Sequence, residues 1–158
     1  MGGSLKMQES RILLAAVLVS AGMTAVAGAC LAHGYRFGTL QLLHPSIAAP
    51  NPGEDRTCAF VTLVNHGAME ERLLAFRIGI ARSTDIMTVT AAHEYHHAPH
   101  GILIPPGERI NLHTDGWCLL LDGLAVSLEA DVGFYSGTLD FQHAGTITVD
   151  FMVDPPTE

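Results

Sequence analysis

Positive charge is scarce in this sequence: eight lysines and arginines stand against sixteen aspartates and glutamates among 158 residues, a formal net charge of −8. So few cations disfavour a phosphate-neutralising surface, which argues against nucleic acid or an anionic membrane face as partner. Charged residues of both signs make up only 15% of the chain. That is too few for a disordered acidic tail or a long solvated helix. The sequence contains no nucleophile elbow, phosphate-binding loop or dinucleotide fingerprint, no internal repeat and no low-complexity tract. There are three cysteines, at 30, 58 and 118, too few for a disulfide scaffold. The length indicates one compact domain rather than a large enzyme.

What the chain does have is apolar content, 48% of residues, enough to bury a core. Residues 12–32 carry no charge and are rich in Leu, Val and Ala, while Lys6 and Arg11 precede them with only Glu9 in opposition. This is the charge order of a secretory signal. Small residues at Ala27 and Ala29 suit cleavage before Cys30, and Ala32 suits cleavage before His33. The alternatives are an uncleaved membrane anchor, since about 20 apolar residues span a bilayer, and lipidation of Cys30, because Ala27-Gly28-Ala29-Cys30 has the outline of a lipoprotein processing box. Residues 33–154 form the expected exported domain, with 155–158 as a tail. Removal of the first 32 residues leaves six basic and fifteen acidic side chains, a formal charge of −9. In an oxidising compartment Cys58 and Cys118 are free to pair, and each is equally free to be a small buried hydrophobe.

The exported region reads as all-β. Alternating or β-branched stretches occur at residues 35–42, 57–65, 73–80, 86–90, 109–112, 117–121, 131–141 and 146–153, with a Pro-rich loop at 45–55. Turn residues at Pro105-Pro106-Gly107, Asp115-Gly116 and Ala144-Gly145 separate them. Residues 68–76 have some helical amphipathicity, but the β-like sequence that follows favours a turn leading into a strand. Short strands divided by such turns predict a β-sandwich. Phe60, Phe76, Phe134, Phe141, Phe151 and Trp117 are the expected aromatic core, and His44 before Pro45 reads as a turn residue.

Chemistry concentrates in the histidines. His93, His96, His97 and His100 fall within eight residues, and His113 follows. On a loop, several imidazoles are free to converge on a copper, zinc or nickel ion, and sulfur from Met87 or Cys118 shifts the preference toward copper. His93-Glu94-Tyr95-His96-His97 also matches the zinc-hydrolase pattern His-Glu-x-x-His, which requires a helix. The β-like residues before it and Pro99 after it leave little room for one. If processing exposed His33, its amino group and imidazole would begin a histidine brace, the copper arrangement of oxidative polysaccharide enzymes.

The order of segments resembles the periplasmic copper chaperones of the PCu(A)C family across nearly all of residues 34–153. The resemblance is carried by Gly38-Thr39-Leu40, His44-Pro45, the stretch from Phe60 to Asn65, Glu71-Arg72-Leu73, Ile104-Pro105-Pro106-Gly107, Asp115-Gly116, Gly123-Leu124, Leu139-Asp140-Phe141 and Ala144-Gly145. It implies a cupredoxin-like sandwich that carries copper, as Cu(I) or Cu(II), to an acceptor such as an oxidase without catalysing a reaction. That family's ligands are a histidine, a methionine and a later His-x-Met pair. Here Cys118 and Leu120 align with the pair, and Asp85, Met87 and His96 fall near the earlier positions. The expected metal set is therefore divergent: Met87, His93, His96, His97, His100 and Cys118. The protein is expected to be a periplasmic monomer and not an enzyme. The competing expectations are a sandwich that has lost its metal, and a copper-dependent oxidative enzyme using His33.

Overall fold

The computed structural model describes residues 34–129 and 133–155. The expected leader, His33, the start of the 131–141 stretch and the end of the tail lie outside them. Among the described residues every regular element is a strand: β1 (Gly34–Phe37), β2 (Leu40–Ala48), β3 (Arg56–Asn65), β4 (Glu71–Ile78), β5 (Ala81–Val89), β6 (Tyr95–His97), β7 (Ile102–Ile104), β8 (Arg109–Asn111), β9 (Trp117–Leu124), β10 (Phe134–Phe141) and β11 (Gly145–Asp154).

The strands form one continuous sheet in the order β6-β5-β9-β3-β2-β11-β10-β4-β7, with β1 added to β2 and β8 to β3. The sheet curls so that its two halves share a core, giving the all-β sandwich that the patterning predicts, of the cupredoxin-like kind that the resemblance implies. The halves are joined by a short parallel ladder, Met152–Asp154 of β11 against Ser46–Ala48 of β2. Leu42, Ile47, Leu63, Leu119 and Leu121 from one half are buried in the same cluster as Leu73, Leu139, Val149 and Phe151 from the other. Phe76 meets Phe151 edge-on, with ring centroids 5.5 Å apart, a favoured aromatic geometry.

Three expectations need correction. The 35–42 stretch is a hairpin rather than one strand: Gly38 takes φ +58° in the two-residue turn between Phe37 and Leu40, a conformation glycine adopts without a Cβ penalty. Second, the Pro-rich loop begins later than expected. His44, at φ 51°, and Pro45 form an irregularity in the β2–β3 ladder, and pairing resumes at Ser46. An irregularity of this kind accommodates a proline that cannot donate to the ladder. Third, Phe134 is not core; it is 56% exposed at the start of β10. Phe76, Phe141 and Phe151 are buried as expected, and Trp117 and Phe60 pack partly buried against the core.

Two buried polar residues connect the loops. Asn65, 2% exposed, donates from Nδ2 to the carbonyls of Met69 and Ile104 and accepts the Gly67 N–H at Oδ1. The Glu71 carboxylate accepts the N–H groups of Arg72, His143 and Ala144 at 2.8, 2.9 and 2.8 Å. It thereby fastens the β10–β11 turn to the start of β4. Burial alone would raise the Glu71 pKa, but these three N–H groups and the nearby His143 imidazole outweigh it and hold the carboxyl below its ordinary range.

Candidate functional site

The core-facing residue of β5 is Ile86, so Asp85 and Met87 point to the opposite face of the sheet. β5 is flanked by β6 on one side and β9 on the other. Met87 is the cross-strand partner of His97 in β6 and of Cys118 in β9, and Asp85 is the partner of Leu120. Residues directly opposite in a ladder share a face, with Cβ atoms about 5 Å apart. His97, Met87 and Cys118 therefore form a transverse row across three strands.

The His97 ring is held within this row. Its Nδ1 lies 2.8 and 2.7 Å from the two carboxylate oxygens of Asp85. An ionised carboxylate only accepts, so Nδ1 carries a proton, and in the neutral ring the free lone pair is then on Nε2. A carboxylate behind an imidazole is the usual support of a metal-ligating histidine.

Beside the row an open groove of about 1090 Å³ is lined by Cys58, Phe60, Met87, Tyr95 and Leu120, among others. His113 approaches from β8's end and sets its ring edge-on against Phe60, centroids 4.8 Å apart. Cys58 and Cys118 are bonded to each other, with Cα atoms 5.3 Å apart. In this state Cys118 offers no free thiolate, because its sulfur is committed to the disulfide and the residue is fully buried.

The histidine segment does not converge as a loop. It is divided by a short strand, and strand geometry turns neighbours to opposite faces. His96, partnered with Thr88, thus points away from His97 and lies 3.8 Å from Glu94. His93 sits in the turn before β6 at φ 59°. His100 lies in the next turn, where its carbonyl accepts Arg72 of β4. That turn is pressed against β4: a Cβ on Gly101 would fall 2.0 Å from the Leu73 carbonyl oxygen. Of the six expected metal residues, the fold brings together Met87, His97 and Cys118 and disperses His93, His96 and His100. The stretch from His93 to His97 is a turn and a strand, which removes the helical face that the zinc-hydrolase pattern needs. Among the described residues no group of three His, Cys, Asp or Glu side chains surrounds one point.

Sequence reasoning missed Asp85 as a support of His97, while it left the Cys58–Cys118 pairing open and named His113 only as a histidine near the cluster. Asp85 stands two residues before Met87, so strand alternation was the available signal for placing it on the same face.

No curated protein is a significant match to this chain. Solved structures are. The PCuAC domain from PmoF1, in its apo form, is 28% identical and superposes with a TM-score of 0.69 over 78% of this chain and 100% of that one. The copper-bound PCuAC domain from PmoF2 is 27% identical, with a TM-score of 0.65 over 78% of this chain and 99% of that one. The Cu(I) form of DR1885 from Deinococcus radiodurans, 24% identical with a TM-score of 0.60 over 78% and 81%, shares the fold. A family model described as lipoprotein LpqE-like matches residues 40–153, from the start of β2 into β11, and the chain belongs to this LpqE-like family.

Proposed function

We propose that this chain is an exported copper-binding protein of the metallochaperone kind, which holds the ion on the β5–β6 face and passes it to an acceptor metalloprotein such as an oxidase. The observation that carries this reading is the pairing of Met87 with His97, together with the Asp85 carboxylate on His97 Nδ1. A thioether and a neutral imidazole are a soft and an intermediate donor, a combination suited to copper and to Cu(I) in particular. The likeness to a copper-bound domain of the same fold supports the choice of metal. An exposed His97 on the edge strand beside a half-buried Met87 suits transfer to a partner better than a sealed catalytic centre. The leader supports export to the periplasm, and the mature protein acts as a monomer, without enzymatic turnover.

A second reading has its own support. Cys118 is oxidised and Leu120 has no donor atom, and these are the two residues aligned with the family's His-x-Met pair. In that reading the chain keeps the fold and has lost the metal. Cu(I) titration against a coloured chelator decides between them. Copper carriage predicts measurable binding by the oxidised protein that weakens by roughly tenfold or more in His97→Ala and in Met87→Leu. Negligible binding by the unsubstituted protein, oxidised and reduced alike, establishes the second reading. Imidazole ligation further requires tighter binding at about pH 7.5 than at about pH 5.5, because protons compete for the ring nitrogen. Affinity independent of pH would remove His97 from the ligand set.

A further inference from the structure

The disulfide stands at the place in the sheet where donors to a soft metal ion would be most useful. Cys118 is the direct cross-strand partner of Met87, and Cys58, on the neighbouring strand β3, lines the groove that Met87 also lines. Leu120, which faces the same groove, offers no donor. In the oxidised protein both sulfurs are withheld from a metal by their mutual bond.

We infer that Cys58 and Cys118 form a redox-gated Cu(I) site with Met87, closed in the disulfide form and opened by a dithiol reductant. The inference deepens the copper reading above and rests on it for the choice of metal. In the opening step one thiolate of the reductant attacks a sulfur of the disulfide to give a mixed disulfide. Its second thiol then displaces the remaining protein sulfur. The reductant leaves as its own disulfide, and the protein has gained two electrons and two protons as a pair of thiols. Binding of Cu(I) releases the thiol protons and yields two thiolate–copper bonds, with the Met87 thioether as third donor. Cu(I) does not change oxidation state in this step. Cys58 is the partly accessible member of the pair and Cys118 is fully buried, so attack starts at the Cys58 sulfur.

The test compares the full exported domain before and after reduction with dithiothreitol and anaerobic desalting, using Cu(I) and a coloured chelator as competitor. The expected result is affinity at least roughly tenfold tighter after reduction, accompanied by thiolate-to-copper absorption in the ultraviolet. A Cys58→Ser/Cys118→Ser protein, which lacks the disulfide but also the thiols, should show neither. Equal affinity in the two redox states overturns the inference, as does a gain that persists in the double-serine protein. Loss of the β-sheet circular dichroism on reduction also overturns it, since the site needs the sheet to hold its donors. The oxidised protein and its His97→Ala variant test the copper reading separately. Absent binding there with a thiolate-dependent gain after reduction would refute the His97 site and leave the cysteine site standing.

Discussion

At the scale of single residues, a carboxylate that accepts a hydrogen bond from one imidazole N–H decides which nitrogen of the neutral ring presents the lone pair, and Asp85 does this for His97. Replacing it by Asn removes the acceptor-only partner and lets the ring turn. Asp85→Asn is therefore expected to weaken copper binding by about tenfold with little change in melting temperature, as read by chelator competition and thermal denaturation. Unchanged affinity would show that Asp85 does not support the site. Nothing in the sequence separates His97 from His96, because both lie in the same imidazole-rich run. Only the presence of β6 makes them point oppositely, and only its register chooses Met87 as the partner of His97. The chemistry of Met87 and the histidines was legible residue by residue, whereas their selection was not.

Among the elements, β4 and the β10–β11 hairpin depend on Glu71. Its carboxylate satisfies three backbone N–H groups, and charge-assisted bonds are the stronger kind. Glu71→Ala leaves those donors unpaired in a buried place, and urea denaturation should record a loss of about 2–4 kcal/mol. The same carboxyl has a pKa below that of the unfolded chain. The folded state therefore binds the proton less readily than the unfolded state. Its stabilising contribution is fully present above about pH 4.3 and falls away as pH drops through the lowered folded value. Stability measured down an acid series should decline less steeply in Glu71→Gln than in the unsubstituted protein, and parallel curves would exclude Glu71 as a source of acid sensitivity. Most strands were legible from alternation and turn residues. The β1–β2 hairpin and the β2 irregularity were hidden, since Gly38 and Pro45 each punctuate the sequence without saying whether pairing stops or continues across them.

Across the whole molecule, the Cys58–Cys118 bond closes a sequence separation of 60 residues. A cross-link of that span restricts the unfolded chain by about 4 kcal/mol in the loop-entropy account. Reduction, or the double substitution to Ser, should lower the unfolding free energy by an amount of that order without abolishing the fold, because the apolar core spans both halves of the sheet independently of the bond. A loss near zero would mean that the unfolded chain is already compact around these strands. The pairing itself could not be read from two isolated cysteines. It required β9 to lie beside β3, a contact between distant segments that no local pattern specifies.

The sequence by itself determined the all-β class, most strand positions, the acidic character and the residue types available to bind a metal. These follow from period-two alternation, turn chemistry and composition, which act over a few residues at a time. Tertiary structure decided which donors meet: His97 with Met87, Asp85 behind the ring, and Cys58 joined to Cys118. Strand order and register arise from burying one shared core, and shifting a strand by a single residue exchanges its two faces. The site is thus a property of pairing between remote segments, to which the local pattern contributes only the candidates.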